Sequence, residues 1–196
     1  MSGLVDNLNA VAIDDASLVR DALAGSARSF ERLVRKHQVP ILRFLKRRLG
    51  RTEDAEDVLQ ETFAAVHRNL HRYDARWQVS TWIFTIARRQ AASYARRAKL
   101  PVEPGAVGDD QHDPNQPGVD ARMVVDDERD NLWTLARQAL SGDQFDVLWM
   151  FYAEQMSLDQ VAKVTDKSSL STRVSLHRAR QKLKRALQTK HPEDRR

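Results

Sequence analysis

The stretch Ser80–Arg97, STWIFTIARRQAASYARR, decides how this chain is read. At 100° per residue, Ile83, Ile86, Ala87, Gln90, Ala91 and Tyr94 fall on one side of a helix, and Thr85, Arg88, Arg89, Ala92 and Arg96 fall on the other. The pattern predicts an amphipathic helix with a cationic outer face. Between Phe84 and Lys99 there are five basic residues and no acidic one, so nothing local neutralises them and a polyanion such as DNA is the simplest partner. Tyr73, Trp77 and Trp82 lie just upstream and are flat rings suited to stacking on unpaired bases. Taken alone, the same helix reads equally well as a solvated basic face with Trp82 in a core. The rest of the chain decides between the two.

A length of 196 residues suits one or two small domains. The net charge of +5 suggests an acidic partner, although its distribution says more than its total. The absence of cysteine excludes disulfides, thiolate zinc sites and thiol catalysis. The N-terminal MSGLVDNLNAVAIDDAS lacks a cationic start followed by an apolar core, and no run of about 18 apolar residues occurs. A soluble, cytoplasmic protein without membrane insertion is expected. No Gly-rich phosphate loop, His-based metal motif or nucleophile elbow is present, so no catalytic residue, metal or cofactor is expected.

Residues 1–25 read as a loose arm and a short helix, capped by Asp15 and ended by Gly25. Ser26 caps a longer helix in which Phe30, Leu33, Val34, Ile41, Leu42, Leu45 and Leu49 recur at helical spacing; Pro40 should kink it and Gly50 should end it. Lys46, Arg47 and Arg48 cluster in its last turn, where cations also complement the helix dipole. Thr52 is expected to cap TEDAEDVLQETFAAVHRNL, which buries Ala55, Val58, Leu59, Thr62, Val66 and Leu70 and leaves Glu53, Glu56, Asp57, Gln60 and Glu61 towards solvent. Acids in a first turn need no functional explanation, since each contributes about 0.3–1 kcal/mol there. Asp57 and Glu61 lie beyond that turn, and an acidic patch in a basic chain suits docking on a positively charged protein surface. Carboxylates at i and i+4 also suit a divalent metal, but a hydrolase site needs a second carboxylate set on a facing helix and none is evident in residues 1–100.

From Pro101 to Asn131 the chain carries four of its six prolines, three of its seven glycines, nine acids and two arginines. It reads as a flexible acidic linker. Helical periodicity then returns in Leu132, Leu135, Ala136, Ala139 and Leu140; Ser141-Gly142-Asp143 forms a turn with Asp143 as cap, and Val147, Leu148, Phe151 and Tyr152, with Trp149 and Met150, build a helix apolar on nearly all sides. Ser157–Gln160 is a capping box for a short helix to about Val164. A polar turn at 165–169 leads to a helix over about 170–189, which together make a helix-turn-helix. The last helix buries Thr172, Leu176, Ala179, Leu183 and Leu187 and leaves Ser171, Val174, Ser175, His177, Arg178 and Lys182 outside. A basic helix in this position is suited to the major groove, where arginine forks onto guanine and valine touches a thymine methyl.

Five blocks in order carry a resemblance: DAEDVLQETF (Asp54–Phe63), STWIFTIAR (Ser80–Arg88), ARR (Ala95–Arg97), MSLDQVA (Met156–Ala162) and LHRARQKL (Leu176–Leu183). Over roughly residues 26–188 the chain resembles the extracytoplasmic-function, or group IV, sigma factors of bacterial RNA polymerase, of the sigma-70 family. The resemblance implies an all-α fold of two helical domains: a sigma-2-like domain over 26–100 and a sigma-4-like helix-turn-helix domain over 131–190, joined by the acidic linker of 101–130. It implies as partners promoter DNA and core RNA polymerase, through the β′ clamp helices and the β flap. Relatives of this kind are commonly held by an anti-sigma factor, and no residue here identifies one. Asp54, Glu56, Asp57, Gln60 and Glu61 would dock on polymerase. The loop from Tyr73 to Ser80, with Tyr73 and Trp77, would receive a base flipped from the −10 element, while Trp82, Arg88, Arg89, Arg96 and Arg97 would hold the opening duplex. Ser171, Arg173, Val174, His177 and Arg178 would read the −35 element. Arg89 and Ser93 stand where the family commonly has Asn and Asp, Gln160 where Glu is common, Asp166-Lys167 where the turn is an apolar residue and Gly, and Ser171–Ser175 differs from Thr-Val-Lys-Ser-Arg. A diverged −35 preference is the expectation. The competing readings are a stand-alone helix-turn-helix regulator, which has no use for the acidic helix, and an all-helical metal-dependent nucleotide hydrolase using Glu53, Glu56, Asp57 and Glu61.

Overall fold

The computed structural model describes residues 14–98 and 131–190. Among them the chain forms helices α1 (Asp15–Leu23), α2 (Ala27–Leu49), α3 (Thr52–Asn69), α4 (Val79–Arg97), α5 (131–139), α6 (Gly142–Tyr152), α7 (Leu158–Thr165) and α8 (Ser169–Lys190), with one 3-10 turn at Leu70–Arg72. The expected arm over 1–13 and the linker over 101–130 lie outside the described residues.

Local chemistry sets most of these boundaries. The Ser26 hydroxyl accepts the Ser29 N–H at 3.2 Å and opens α2. Pro40 lies inside that helix, which runs on to Leu49. Gly50 ends it in the left-handed region at φ +95°, a backbone conformation that favours glycine, with the Arg137 guanidinium of α5 packed close beside it. Three expected caps are displaced by one or two residues. Arg51, extended after the left-handed turn, precedes α3, and Thr52 is already helical. Ser141 rather than Asp143 caps α6, because Ser141 and Gln144 close a reciprocal capping box and leave Asp143 free to reach other partners from the first turn. Likewise Asp14 precedes α1, while Asp15, read as its cap, is its first helical residue.

Helices α2, α3 and α4 bury Leu33, Phe44, Val58, Val66, Ile83 and Phe84, and α5 to α8 bury Phe145, Met150, Val161 and Leu176. Phe63 and Ala65 on α3, and Thr81 and Phe84 on α4, join the interior beyond the stripes read from the sequence. The two sets share one core. Phe44 of α2 meets Phe84 at 5.8 Å and Trp149 of α6 at 6.3 Å between ring centres, so the apolar interior is continuous between the two sets. Helix α4 therefore packs against α3 in its own set and against α7 of the other.

Helix α1 is pinned to α2 by charge. His37 is 7% exposed, with Nε2 3.1 Å from Asp15 Oδ2, and Lys36 Nζ lies 2.6 Å from Asp15 Oδ1. Burial pushes the His37 pKa below its ordinary value, against the opposing pull of Asp15. A histidine depressed in the folded state binds fewer protons than in the unfolded chain, so stability is lost as pH falls through the unfolded value of about 6.5. Unfolding at several pH values should show stability dropping below that point by at most about 1.4 kcal/mol per pH unit, and His37→Gln should flatten the slope. A second prediction concerns Thr172, fully buried with no partner for its hydroxyl. Thr172→Val should raise stability by about 1 kcal/mol, and the melting temperature by roughly 2–4 °C in a thermal scan.

Candidate nucleic-acid interface

The loop between the 3-10 turn and α4 is held by its own side chains. The Tyr73 hydroxyl donates to the Trp77 carbonyl at 2.6 Å, and Asp74 accepts from the Arg76 backbone N–H at 3.0 Å and from its guanidinium at 2.6 to 3.0 Å. Those bonds hold the Asp74 carboxyl down at about 2. Burial pushes the Tyr73 hydroxyl up, which keeps it a neutral donor near pH 7. Trp82 packs with its ring centre 5.5 Å from that of Tyr73. All three predicted aromatics are half-buried: Tyr73 and Trp82 pair ring to ring, and Trp77 is tied to Tyr73 through its backbone carbonyl.

Along α4 the predicted cations separate. Trp82, Arg89 and Arg96 are seven residues apart and share one stripe, and both arginines are exposed. Arg88 departs from the outer face assigned to it: its side chain is 14% exposed, with Nη2 2.7 Å from Asp143 Oδ1 and Nε 3.1 Å from Asp146 Oδ2. The periodicity is that of a two-sided helix, whereas α4 meets neighbours on two sides. Arg97 lies 3.2 Å from Glu61 of α3 and so stands beside the acidic patch rather than apart from it.

On α3, Glu56, Asp57, Gln60 and Glu61 are exposed and Asp54 is half-buried. A hydrogen bond with Asp54 pushes the Tyr94 pKa up. Lys46 comes within 3.7 Å of Glu56. This contact and the Arg97–Glu61 pair are exposed ion pairs, worth about 0–1 kcal/mol, so the patch remains available to a stronger cationic surface. Among the described residues no three His, Asp or Glu side chains converge on a metal-sized site.

The helix-turn-helix is assembled by polar caps. Ser157 and Gln160 form the reciprocal box that opens α7, and the Ser169 hydroxyl donates to Asp159 at 2.6 Å, tying the start of α8 to the first turn of α7. Asp166 takes the left-handed turn position at φ +55°, a conformation that Asp tolerates better than most residues. The turn therefore forms without glycine. Thr172, Leu176 and Ala179 are buried, while Ser171, Arg173, Val174, His177 and Arg178 are all exposed on α8. Leu170, unassigned from the sequence, is 71% exposed at the first turn of the same helix.

A further set of residues escaped the sequence reading. Asp146 of α6 is 1% exposed, and Arg48 Nε of α2 lies 2.7 Å from its Oδ1. Burial pushes the Asp146 carboxyl up, against the pull of Arg48 and Arg88. Gln160 donates to the Gln78 side chain at 2.9 Å, and Lys163 Nζ stands 5.4 Å from the centre of the Trp77 ring. The available signal was an acid, Asp146, inside the apolar run FDVLWMFY. Beside this junction lies a cleft of about 1230 Å³ with Trp133, Leu148, Trp149 and Leu183 on its floor and Arg43 and Lys184 among its cations.

A model of sigma-70 region 2 matches residues 33–100, and one of sigma-70 region 4 matches residues 134–183. The chain is 29% identical over 155 residues to the ECF RNA polymerase sigma factor SigM of Bacillus subtilis (strain 168), covering 74% of this chain and 86% of that protein. Its fold matches that of CnrH in complex with the cytosolic domain of CnrY, with a TM-score of 0.65, 22% identity, and coverage of 89% of this chain and 97% of that one. It also matches sigma factor RpoE in complex with the anti-sigma factor NepR from Bartonella quintana, with a TM-score of 0.61, 18% identity, and coverage of 86% and 100%. With both regions matched in sigma-70 order and each packed as a helical module, the chain belongs to the extracytoplasmic-function sigma factors of the sigma-70 family.

Proposed function

We propose that this chain directs core RNA polymerase to a defined set of promoters and helps to open them, with the work divided between its modules. Residues 26–100 dock on polymerase through Asp54, Glu56, Asp57, Gln60 and Glu61 of α3 and receive the −10 element. Residues 131–190 read the −35 element through Ser171, Arg173, Val174, His177 and Arg178 of α8. The observation that carries this reading is the pairing of two surfaces in one molecule: an exposed polar and cationic helix, α8, and an exposed acidic helix, α3, in the module that holds the half-buried aromatics Tyr73, Trp77 and Trp82. A plain DNA-binding regulator has no use for the acidic helix beside its basic faces.

Melting follows from the same residues. Flipping a base costs a few kcal/mol, which stacking on Tyr73, Trp77 or Trp82 offsets at about 1–3 kcal/mol per base, with Arg89 and Arg96 contacting the phosphates. The protein performs no bond chemistry of its own; that belongs to the polymerase it recruits. It acts in the cytoplasm, where polymerase and chromosome are. An anti-sigma partner is part of this reading, and the cationic, apolar-floored cleft suits an acidic amphipathic segment of such a partner.

Transcription by core polymerase on a fragmented genomic library, with and without this protein, should yield new 5′ ends that share −35 and −10 elements. No new starts, together with no binding to core enzyme, would overturn the proposal. On the promoter so defined, Arg178→Ala should weaken binding by about 1–3 kcal/mol, with the discrimination lost at one −35 position. An equal loss on every sequence would reassign Arg178 to a phosphate contact.

A further inference from the structure

Helix α8 has two distinct faces. Thr172, Leu176 and Ala179 are buried, while Leu170, Arg173, Val174, His177 and Arg178 fall within one opposite stripe at helical spacing and are all exposed. Four of those five are assigned above to the −35 element. Leu170 is not, although at 71% it is the most exposed large apolar side chain among the described residues. A single exposed apolar side chain is ordinary. Leu170 has company, however: Val174 is 41% exposed one turn further along the same stripe. The backbone on either side of Leu170 is also anchored. The Ser169 hydroxyl donates to Asp159 of α7 at 2.6 Å, and the Ser171 N–H donates to the Ser168 hydroxyl at 3.2 Å. The turn of the helix-turn-helix therefore holds the leucine out in solvent in a fixed position, so little backbone freedom remains to be lost on binding.

We propose that Leu170 is a specificity-determining residue that, together with Val174, reads the C5 methyl groups of thymines in the major groove of the −35 element; this rests on the −35 reading of α8 given above. Charge and position both point to that occupant. From Ser168 to Thr189 the chain carries no acid, and Arg173 and Arg178 flank the apolar pair. Duplex DNA meets both features at once, with phosphates for the arginines and, on the floor of the major groove, the thymine methyl as an apolar group. The N-terminal residues of a recognition helix are the ones that reach base edges, and Leu170 lies in the first turn of α8. Four residues of helix rise about 6 Å, close to two base-pair steps of about 3.4 Å each, so the two methyls lie no more than two base pairs apart. Leucine and valine side chains carry no donor or acceptor, so what this pair discriminates is methyl against hydrogen.

Duplexes with a randomised −35 region, selected for binding by polymerase reconstituted with this chain, define the preferred sequence. Deoxyuridine is then substituted for each thymine of either strand in turn, which removes the methyl and leaves base pairing intact. Two positions within two base pairs of each other should each lose about fourfold in affinity, the factor that corresponds to one buried CH2-sized group. Leu170→Ala should abolish the thymine-to-uracil ratio at one of these positions and Val174→Ala at the other, and both variants should keep the position whose discrimination Arg178→Ala loses. Both side chains are exposed, so neither substitution opens a cavity in the core. Equal affinity for thymine and uracil at every −35 position, or a ratio unchanged in Leu170→Ala, would overturn the role of Leu170. If Arg178→Ala still loses discrimination at one −35 position, the −35 reading stands without the methyl contact; if the selection returns no preferred −35 sequence, both fall.

Discussion

A carboxylate can be buried only if partners meet it, and both partners of Asp146 come from the other half of the chain. That requirement ties together features that otherwise look unrelated. The last turn of α2 carries Arg48, α4 turns Arg88 away from its basic stripe, and α6 begins on Gly142, against which the Arg48 guanidinium lies. The basic cluster at the end of α2 accordingly divides: Lys46 reaches towards Glu56 on α3, whereas Arg48 crosses to α6. The helix dipole still favours cations there, but it does not choose where each one points.

Most of the architecture was legible because helices announce themselves by period and cap. The buried positions Ala55, Val58, Thr62 and Val66 of α3 follow from spacing alone, and Ser26 and the Ser157–Gln160 box mark helix starts by chemistry that the structure repeats. What spacing cannot carry is the identity of a helix's second neighbour. A hydrophobic stripe divides a helix into inside and outside, yet α4 has two insides, one towards α3 and one towards α7. Spacing thus puts Arg88 outside, although it meets Asp143 and Asp146 of α6, and leaves Phe84 and Thr81 off the interior stripe, although both are buried. The Asp143 side chain suits a cap, but Ser141 does the capping, which leaves Asp143 to bind Arg88 and Lys167.

The departures from the usual family pattern acquire physical content in the same way. Asp166-Lys167 replaces an apolar residue and glycine, and the turn is kept because Asp166 accepts the left-handed conformation while Lys167 pairs with Asp143 of α6 in the same module. Gln160 completes its capping box as Glu would, and its remaining amide group bonds Gln78. At Ser171–Ser175 the change falls on the exposed side chains at 171, 173 and 174 and also on the core, where Thr172 stands in place of the family's Val. The scaffold thus accommodates these substitutions: the turn, the capping box and the buried face of α8 all form with them in place.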